Sequence, residues 1–390
     1  IRQSPLVIFQ APKAADNKSA RFFKSLHKST FFAAHWCIVH ASQHPRVAKF
    51  LLDQGQQQRM NQYPIPNKFF FLAASGMTTP LGISTAMTAT AVKANISAYT
   101  LADYYNWHFQ PIKVAAIPPA LFDGQDFDAT DWTGSHARRL AFITTLAAGQ
   151  VFANTHPAAP IPLILAMPEL ITTRQQESGL GNHLAQHFPD WINPALGRSI
   201  YSGRAAGMEA LAFAFDYLYD QPCEFILIGG SDSYLDDLRL TALDQEDRLM
   251  TPESSNGFVP AEASGFLLLT RNPHQALVVN GHRIALHPPG VAEEPGHLYS
   301  NEPYRGDGLD QAFKKALVNA PTQPIPRIYS SMNGEHYWAK EYGVAYMRNR
   351  HHFSESVDIK HPADAYGDIG SATAPVLIAL AAQQLLTAAK

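Results

Sequence analysis

The sequence predicts an α/β protein, and two neighbouring stretches carry this prediction. In residues 199–218, apolar side chains recur at helical spacing, at Met208, Leu211, Ala212, Phe215 and Leu218. Residues 225–228 follow as an uninterrupted apolar run, which is typical of a strand covered on both faces. The chain has 390 residues, of which 46% are hydrophobic and 16% charged. This is enough for one large globular domain or for two halves with sizeable cores.

Composition argues against several classes of function. The net charge is -3 and there is no block of basic residues, so nucleic-acid binding has no electrostatic support. Two cysteines, Cys37 and Cys223, are too few for a disulfide framework or a thiolate zinc site. They suit a reducing compartment, and we therefore expect a cytoplasmic protein without cofactor or metal. No apolar run reaches membrane-spanning length, so we expect no membrane association.

The first 66 residues differ from the rest of the chain. They are rich in Lys, Gln, His and Ser and show no strand alternation, and residues 20–52 are compatible with one or two short helices. Two interpretations stay open. Either the natural start lies near Met60, the first methionine, and the earlier residues are an extension, or residues 1–66 form a small appendage that binds a partner.

The remaining elements follow in order. Residues 69–83 predict a strand, a glycine turn and a helix entrance, and helices are expected at 85–98 and within 132–153, with a strand at 161–166. Residues 257–270 predict a tight turn with Glu262 that leads into a core strand, and residues 274–303 are rich in loops with one strand at 276–279. The last part predicts a helix at 308–318, a strand at 327–331, a helix after Asn333, a loop at 361–371 and a long apolar helix at 374–388.

Arg204 lies at the entrance of the helix in residues 199–218, between Gly203 and Gly207. This segment, with the following strand and a Gly229-Gly230 turn expected at its end, resembles the nucleophile segment of the β-ketoacyl synthases of the thiolase superfamily. In that family a Cys occupies the helix entrance, where the helix dipole favours its thiolate. The residue in the Cys position here is Arg204.

Two further positions of that family are also replaced. A decarboxylating ketosynthase needs a Cys to carry the acyl chain and two His to stabilise the developing enolate oxygen. The first His position falls on Asn333, in Asn-Gly-Glu-His-Tyr-Trp, and Glu341 matches the acidic residue that ends that motif. The second His position falls on Asp368, in Tyr-Gly-Asp-Ile-Gly. The resemblance therefore implies the fold without the catalytic triad.

The resemblance covers residues 68–390 and implies a thiolase-like layered α/β/α/β/α fold made of two similar halves. We divide the chain into an extension of unknown role at 1–66, a first half at 67–272 and a second half at 273–390. The ketosynthase fold needs further strands after the helix at 374–388. We therefore expect the second half to be incomplete, either because the chain is truncated or because those strands are absent.

The three replaced positions should lie together, and this predicts a plug where the acyl thioester would sit. A buried arginine at a helix N-terminus opposes the dipole and needs a carboxylate, so we predict that Arg204 pairs with Asp368, Glu335 or both. Ser202 and His336 are the candidate residues for an alternative acyl transfer that does not use a Cys. Ser202 precedes the turn, although no spacing supplies its base, and His336 is a substitute for the lost His at Asn333.

Other reactive or aromatic residues have plainer interpretations. We interpret Cys223 as a small residue packed inside the protein. The histidines His351, His352 and His361 have no metal-ligand spacing and read as solvent-facing. One aromatic group either lines a binding surface or forms a partly buried helix end: Tyr104, Tyr105, Trp107 and Phe109.

Two functions follow from the resemblance. The first is an inactive ketosynthase homologue, a bacterial pseudoenzyme that acts by binding partners. It is either a chain-length-factor-like subunit or an accessory of type VI secretion effectors, and its partners are a second copy, a ketosynthase homologue, an acyl carrier protein or an effector. The second is an acyltransferase with altered, non-Cys chemistry that acts on acyl-CoA or acyl carrier protein.

Overall fold

A computed structural model describes residues 5–9, 33–42, 69–153, 155–169, 179–221, 223–254, 256–318 and 323–388, with backbone alone for the first two ranges. The strands are β1 Pro5–Phe9, β2 Ala33–Ser42, β3 Phe70–Thr78, β4 Thr100–Tyr105, β5 Pro111–Val114, β6 Leu163–Ala166, β7 Arg198–Ile200, β8 Phe225–Ser233, β9 Glu262–Thr270, β10 Val278–Val279, β11 His282–Leu286, β12 Gly290–Glu293, β13 Ile325–Ser330 and β14 Phe353–Lys360. The helices are α1 Thr85–Lys93, α2 His136–Phe152, α3 Leu180–His187, α4 Ala206–Asp220, α5 Asp237–Asp244, α6 Asp307–Leu317, α7 His336–Arg348, α8 Ala363–Tyr366 and α9 Thr373–Ala388.

Most strands join one mixed sheet, in the order β14-β13-β1-β2-β11-β3-β9-β8-β6-β7. Two short strands lie off this path, since β10 pairs with β11 and β12 pairs with β2. Strands β4 and β5 form a separate antiparallel hairpin. The mixed sheet with helices packed on it is the α/β class that the sequence predicts.

Strand β8 is the buried centre of the first half. It lies between antiparallel β9 and parallel β6, and all nine of its residues are buried. This confirms the central strand predicted at residues 225–228. The tight turn expected at Gly229-Gly230 is wrong, because the strand continues to Ser233. Glycine is needed at 230 for a close approach, since a Cβ there would lie 2.3 Å from the Ser371 carbonyl oxygen.

The last helix, α9, packs in the largest apolar core together with α4. The segment Gly370–Ala388 is long and apolar enough to cross a membrane, a property that the sequence analysis did not find. However, 78% of its apolar window is buried inside the protein. Here it is a core helix, and its composition reflects contact on nearly every side.

The two halves of the sheet repeat one pairing pattern. In the first half, β3 and β8 both run antiparallel to β9, and β8, β6 and β7 are mutually parallel neighbours. In the second half, β12 and β1 both run antiparallel to β2, and β1, β13 and β14 are parallel neighbours. Strands β1 and β2 therefore occupy the positions that β8 and β9 occupy in the first half.

This pairing bears on two expectations. No strand follows α9 among the described residues, and β1 and β2 from the start of the chain lie in the places of the second-half sheet that β8 and β9 hold in the first. The helices expected within residues 20–52 are wrong at 33–42, which form β2. An apolar run without alternation does not distinguish a strand from a helix by periodicity. The rest of the segment 1–66, and its role, lie outside the described residues.

Removing residues 1–66 should destabilise the protein severely. The deletion takes away the strands between β13 and β11 and leaves two unpaired edges, which favours aggregation. We expect a loss of soluble yield and a lower urea midpoint, measured by circular dichroism against the full chain. A deletion variant that is as soluble and as stable as the full chain would show that β1 and β2 contribute nothing to the fold.

Candidate functional site

Arg204 lies in the 3₁₀ turn Gly203–Ala205 that leads into α4. Gly203 has a φ of +61°, a left-handed conformation that glycine adopts without strain. The turn directs Arg204 inward, and only 2% of the residue is exposed. The structure thus buries a permanently charged group at the helix entrance.

The Arg204 guanidinium has three neighbours. Its Nη2 donates to the Ser331 carbonyl oxygen, and its Nη1 lies 3.5 Å from Asp368 Oδ2. Its Cζ lies 5.4 Å from the centre of the Trp338 ring, which is cation–π distance. The predicted ion pair with Asp368 is therefore present. Nε and Nη1 make no hydrogen bond to any group in the described ranges.

Asp368 and Asn333 stand at the two other positions, where the resemblance places histidines, and a hydrogen bond joins them. Asn333 Nδ2 donates to Asp368 Oδ2 at 2.8 Å, and the backbone N–H of Gly370 donates to Asp368 Oδ1 at 3.0 Å. Both side chains are nearly inaccessible to solvent. The structure therefore brings Arg204, Asn333 and Asp368 into one buried cluster.

Glu335 belongs to the same cluster but pairs with a different arginine. Arg248 donates to both of its carboxylate oxygens, at 2.7 and 3.0 Å, and Asn333 Nδ2 and Trp338 Nε1 donate to Oε2. Burial alone would raise the pKa of Glu335. The Arg248 charge and these hydrogen bonds outweigh it and hold the pKa below its ordinary value. Glu335 is thus an anion that balances Arg248.

The pKa of Glu341, which matches the acidic residue of the family motif, is shifted in the opposite direction. Burial, and then the neighbouring carboxylate of Glu294, raise its pKa well above the ordinary value, against a smaller opposing effect of Arg204. Glu294 accepts from the backbone N–H groups of Gly296 and Gly308. Glu341 therefore lies next to an anchored carboxylate, and its burial and this neighbour both favour its protonated form.

The space around Asp368 is almost filled. A small cavity is lined by Ser330, Ser331, Tyr366, Asp368 and Thr373, among others, and it has room for about one water molecule. The cluster offers two carboxylates, an amide and two guanidinium groups. None of them is a nucleophile of the thiol or hydroxyl kind, and guanidinium does not release its proton in proteins.

Ser202 and His336, the two residues considered for alternative chemistry, differ in their surroundings. The Ser202 hydroxyl is near enough to Glu209 to lower its pKa, against the larger rise caused by burial, yet it completes no hydrogen bond with a described group. His336 is exposed at the start of α7, where its backbone N–H donates to Asn256. His336 is therefore not part of the buried cluster and does not take the place of Asn333.

Three further groups of residues that the sequence singled out lie as follows. Cys223 is half-buried and unpaired, and burial raises the pKa of its thiol. His351 is exposed as expected, whereas His352 and His361 are half-buried. Among the described residues there is no group of three or more His, Cys, Asp or Glu that could hold a metal ion. The aromatic group at residues 104–109 is not a helix end, because these residues form the hairpin β4–β5.

Sequence reasoning missed Arg248, Trp338 and Ser331 as partners in this cluster. No local pattern marks Arg248 as an arginine that reaches a carboxylate in another half of the chain. Trp338 had a signal, since an aromatic three residues after Glu335 lies on the same helix face. Ser331 contributes its backbone carbonyl, which side-chain patterns do not reveal.

Solved ketosynthase structures share this fold at low sequence identity. An oxazolomycin ketosynthase domain of Streptomyces albus JA3453 matches at 14% identity with a TM-score of 0.59, over 82% of this chain and 62% of its own. A ketosynthase in complex with its chain length factor, from Xenorhabdus doucetiae, matches at 15% identity with a TM-score of 0.59, over 81% and 84%. No family model and no curated protein matches the sequence. The chain has the thiolase-like ketosynthase fold and spans 62% of the length of the Streptomyces domain.

Arg204→Ala should lower the free energy of unfolding by about 3–5 kcal/mol, because it leaves Asp368 buried without its cation. The double variant Arg204→Leu with Asp368→Asn should cost less than the single one, since neither charge is then left unpaired. Urea unfolding followed by tryptophan fluorescence measures both. Arg305→Ala, which breaks the exposed pair with Asp307, is the control and should cost under about 1 kcal/mol. Equal losses in Arg204→Ala and Arg305→Ala would contradict the buried pair.

Glu341→Gln should stabilise the protein increasingly as the pH rises. The pKa of Glu341 in the folded protein lies above its ordinary value of 4.5. Protonated Glu341 therefore makes its full contribution to the free energy of unfolding below about pH 4.5, and this contribution is lost as the pH rises through the folded pKa. Gln keeps a donor for Glu294 and does not titrate. Unfolding free energies at about pH 5 and pH 8 give the test, with the exposed Glu302→Gln as control. A difference between Glu341→Gln and wild type that does not change with pH would mean that Glu341 is ionised.

Proposed function

We propose that this protein is a ketosynthase-like subunit that does not condense acyl groups and acts by binding another protein. The observation that carries the proposal is Arg204. It stands where the family resemblance places the acyl-carrying Cys, and it is buried and paired with Asp368. The ion pair acts as a plug in the space where the acyl thioester would form.

Each group of the cluster is unsuited to the condensation. Arg204 cannot accept an acyl chain, since a protonated guanidinium is not a nucleophile. Asp368, where a His would stabilise the enolate oxygen, carries negative charge and would repel it. The adjoining cavity has room for about one water molecule, so an acyl chain would have to displace buried side chains.

The edge of the sheet favours association with a second copy or with a ketosynthase homologue. Strand β7 ends the strand order and comes directly before the turn at Arg204. An edge strand presents backbone groups that pair readily with another chain. Two of the solved structures with this fold are complexes. One holds a ketosynthase with its chain length factor, and the other holds a ketosynthase with its acyl-carrier protein. A homologue is therefore our first candidate partner, with a carrier protein or a secretion effector as the others, in the cytoplasm.

An acyltransferase remains the second candidate, because Ser202 lies beside Glu209. In that reaction the Ser202 oxygen would attack an acyl thioester, Glu209 would take the hydroxyl proton, and the carbon–sulfur bond would break as Glu209 returns that proton to the leaving thiolate. Burial raises the pKa of Glu209, and a carboxylate with a raised pKa is the stronger base. This pair is the one observation that favours transfer chemistry.

The two functions differ in covalent acylation and in assembly. We expect no adduct on the wild-type protein in intact mass spectra after incubation with acyl-CoA or acyl carrier protein, and no condensation by Arg204→Cys, because both His are also missing. An active ketosynthase is the positive control. Light scattering should show a dimer, alone or with the homologue. An adduct that Ser202→Ala abolishes would establish the acyltransferase, whereas transfer that needs Arg204, or a strict monomer with every candidate, would overturn the proposal.

A further inference from the structure

The hairpin β4–β5 presents aromatic side chains to solvent. Trp107 is 59% exposed and Phe109 is 88% exposed at its tip, and Leu101 and Tyr105 are more than half exposed on the outer face of β4. The inner face holds Ala102, Tyr104 and Ile112, which pack with α5. The aromatic rings on the outer face are therefore not used to fill the core beneath the hairpin.

The tip is fixed in shape. Phe109 has a φ of +59°, a left-handed conformation that is unfavourable for an aromatic residue. Asn106 holds it, because its Oδ1 accepts from the backbone N–H groups of His108 and Gln110, and its carbonyl oxygen accepts from Phe109. These bonds hold the backbone of the tip in a strained conformation that leaves the Phe109 side chain outside the protein.

The hairpin is also tied to the neighbouring loop. The Trp107 backbone N–H donates to Asp244 at 2.9 Å, and its indole N–H donates to Asp247 at 3.1 Å. Gln110 donates to Glu253. The partners of the tip are thus three carboxylates from the end of α5 and the loop that follows it, and the aromatic rings lie beside negative charge.

The charge around the rings is mainly acidic. Asp103 lies on the outer face of β4 between Leu101 and Tyr105, and it adds to these three carboxylates. Lys113, opposite Leu101 in the hairpin, adds a cation to this face, and His108 lies 3.6 Å from Asp247. The four carboxylates named here outnumber Lys113 and give the aromatic patch an acidic rim.

We propose that this hairpin docks a protein partner whose contacting face carries Lys or Arg beside aliphatic side chains. Aromatic rings bind aliphatic groups and attract cations through their faces, and the carboxylates add long-range attraction for a basic surface. A second copy of this chain would bring two acidic rims together, and an acidic partner would be repelled. This surface differs from the β7 edge, so the inference goes beyond the proposed function and does not depend on inactivity.

Two labelled helical peptides of equal length and equal leucine positions test the inference, one with Lys and the other with Glu at the remaining sites. Fluorescence anisotropy should show binding of the Lys peptide that weakens with salt. Phe109→Asn, which tolerates the left-handed backbone, and Phe109→Gly, which removes the strain with the ring, should each weaken binding about tenfold. Met347→Asn is the matched control, since Met347 is 69% exposed on α7, and it should bind as wild type does.

Circular dichroism establishes that each variant is folded. Equal binding by Phe109→Asn and Met347→Asn would overturn the inference. Preference for the Glu peptide would also overturn it and indicate an acidic partner, as would a lack of binding by both peptides. Self-association that Phe109→Asn abolishes would identify a second copy as the occupant and would equally overturn the basic partner.

Discussion

A guanidinium group shut away from water needs a compensating charge within a few ångströms, and this requirement holds three distant segments together here. Arg204 comes from the turn before α4, its carbonyl acceptor from the end of β13, and its carboxylate from the loop before α9. An unpaired charge in this place would cost far more than any single contact returns. The three segments are therefore kept in register by electrostatics as well as by packing.

The same solution recurs through the described interior. Arg139 pairs with Glu262, and Arg239 pairs with Asp232, each almost without solvent contact. Asp232 also accepts from the backbone N–H of Ser371 at 2.8 Å, next to the loop that carries Asp368. Several buried ion pairs thus fasten the described interior, and they fix the positions of the side chains that form them.

Sequence patterns predicted much of this structure where they were local. The buried strand β8, the apolar helix α9 and the charged partner of Arg204 follow from periodicity, motif order and the cost of burying charge. The strand β2 was missed because its apolar run lacks a period. Arg248 was missed because its partner Glu335 is distant in sequence. The hairpin at residues 104–109 was missed because exposed aromatic residues do not follow the usual inward pattern.

The position of β1 has a consequence for the order in which the sheet forms. Pro5 pairs with Arg327 and Ile8 with Ser330, so β1 and its parallel partner β13 are separated by most of the chain. Closing so long a loop is entropically costly, and non-local pairing slows folding. We therefore expect this pairing to form late. Until it forms, the edges of β2 and β13 that face β1 stay unpaired and are open to wrong partners.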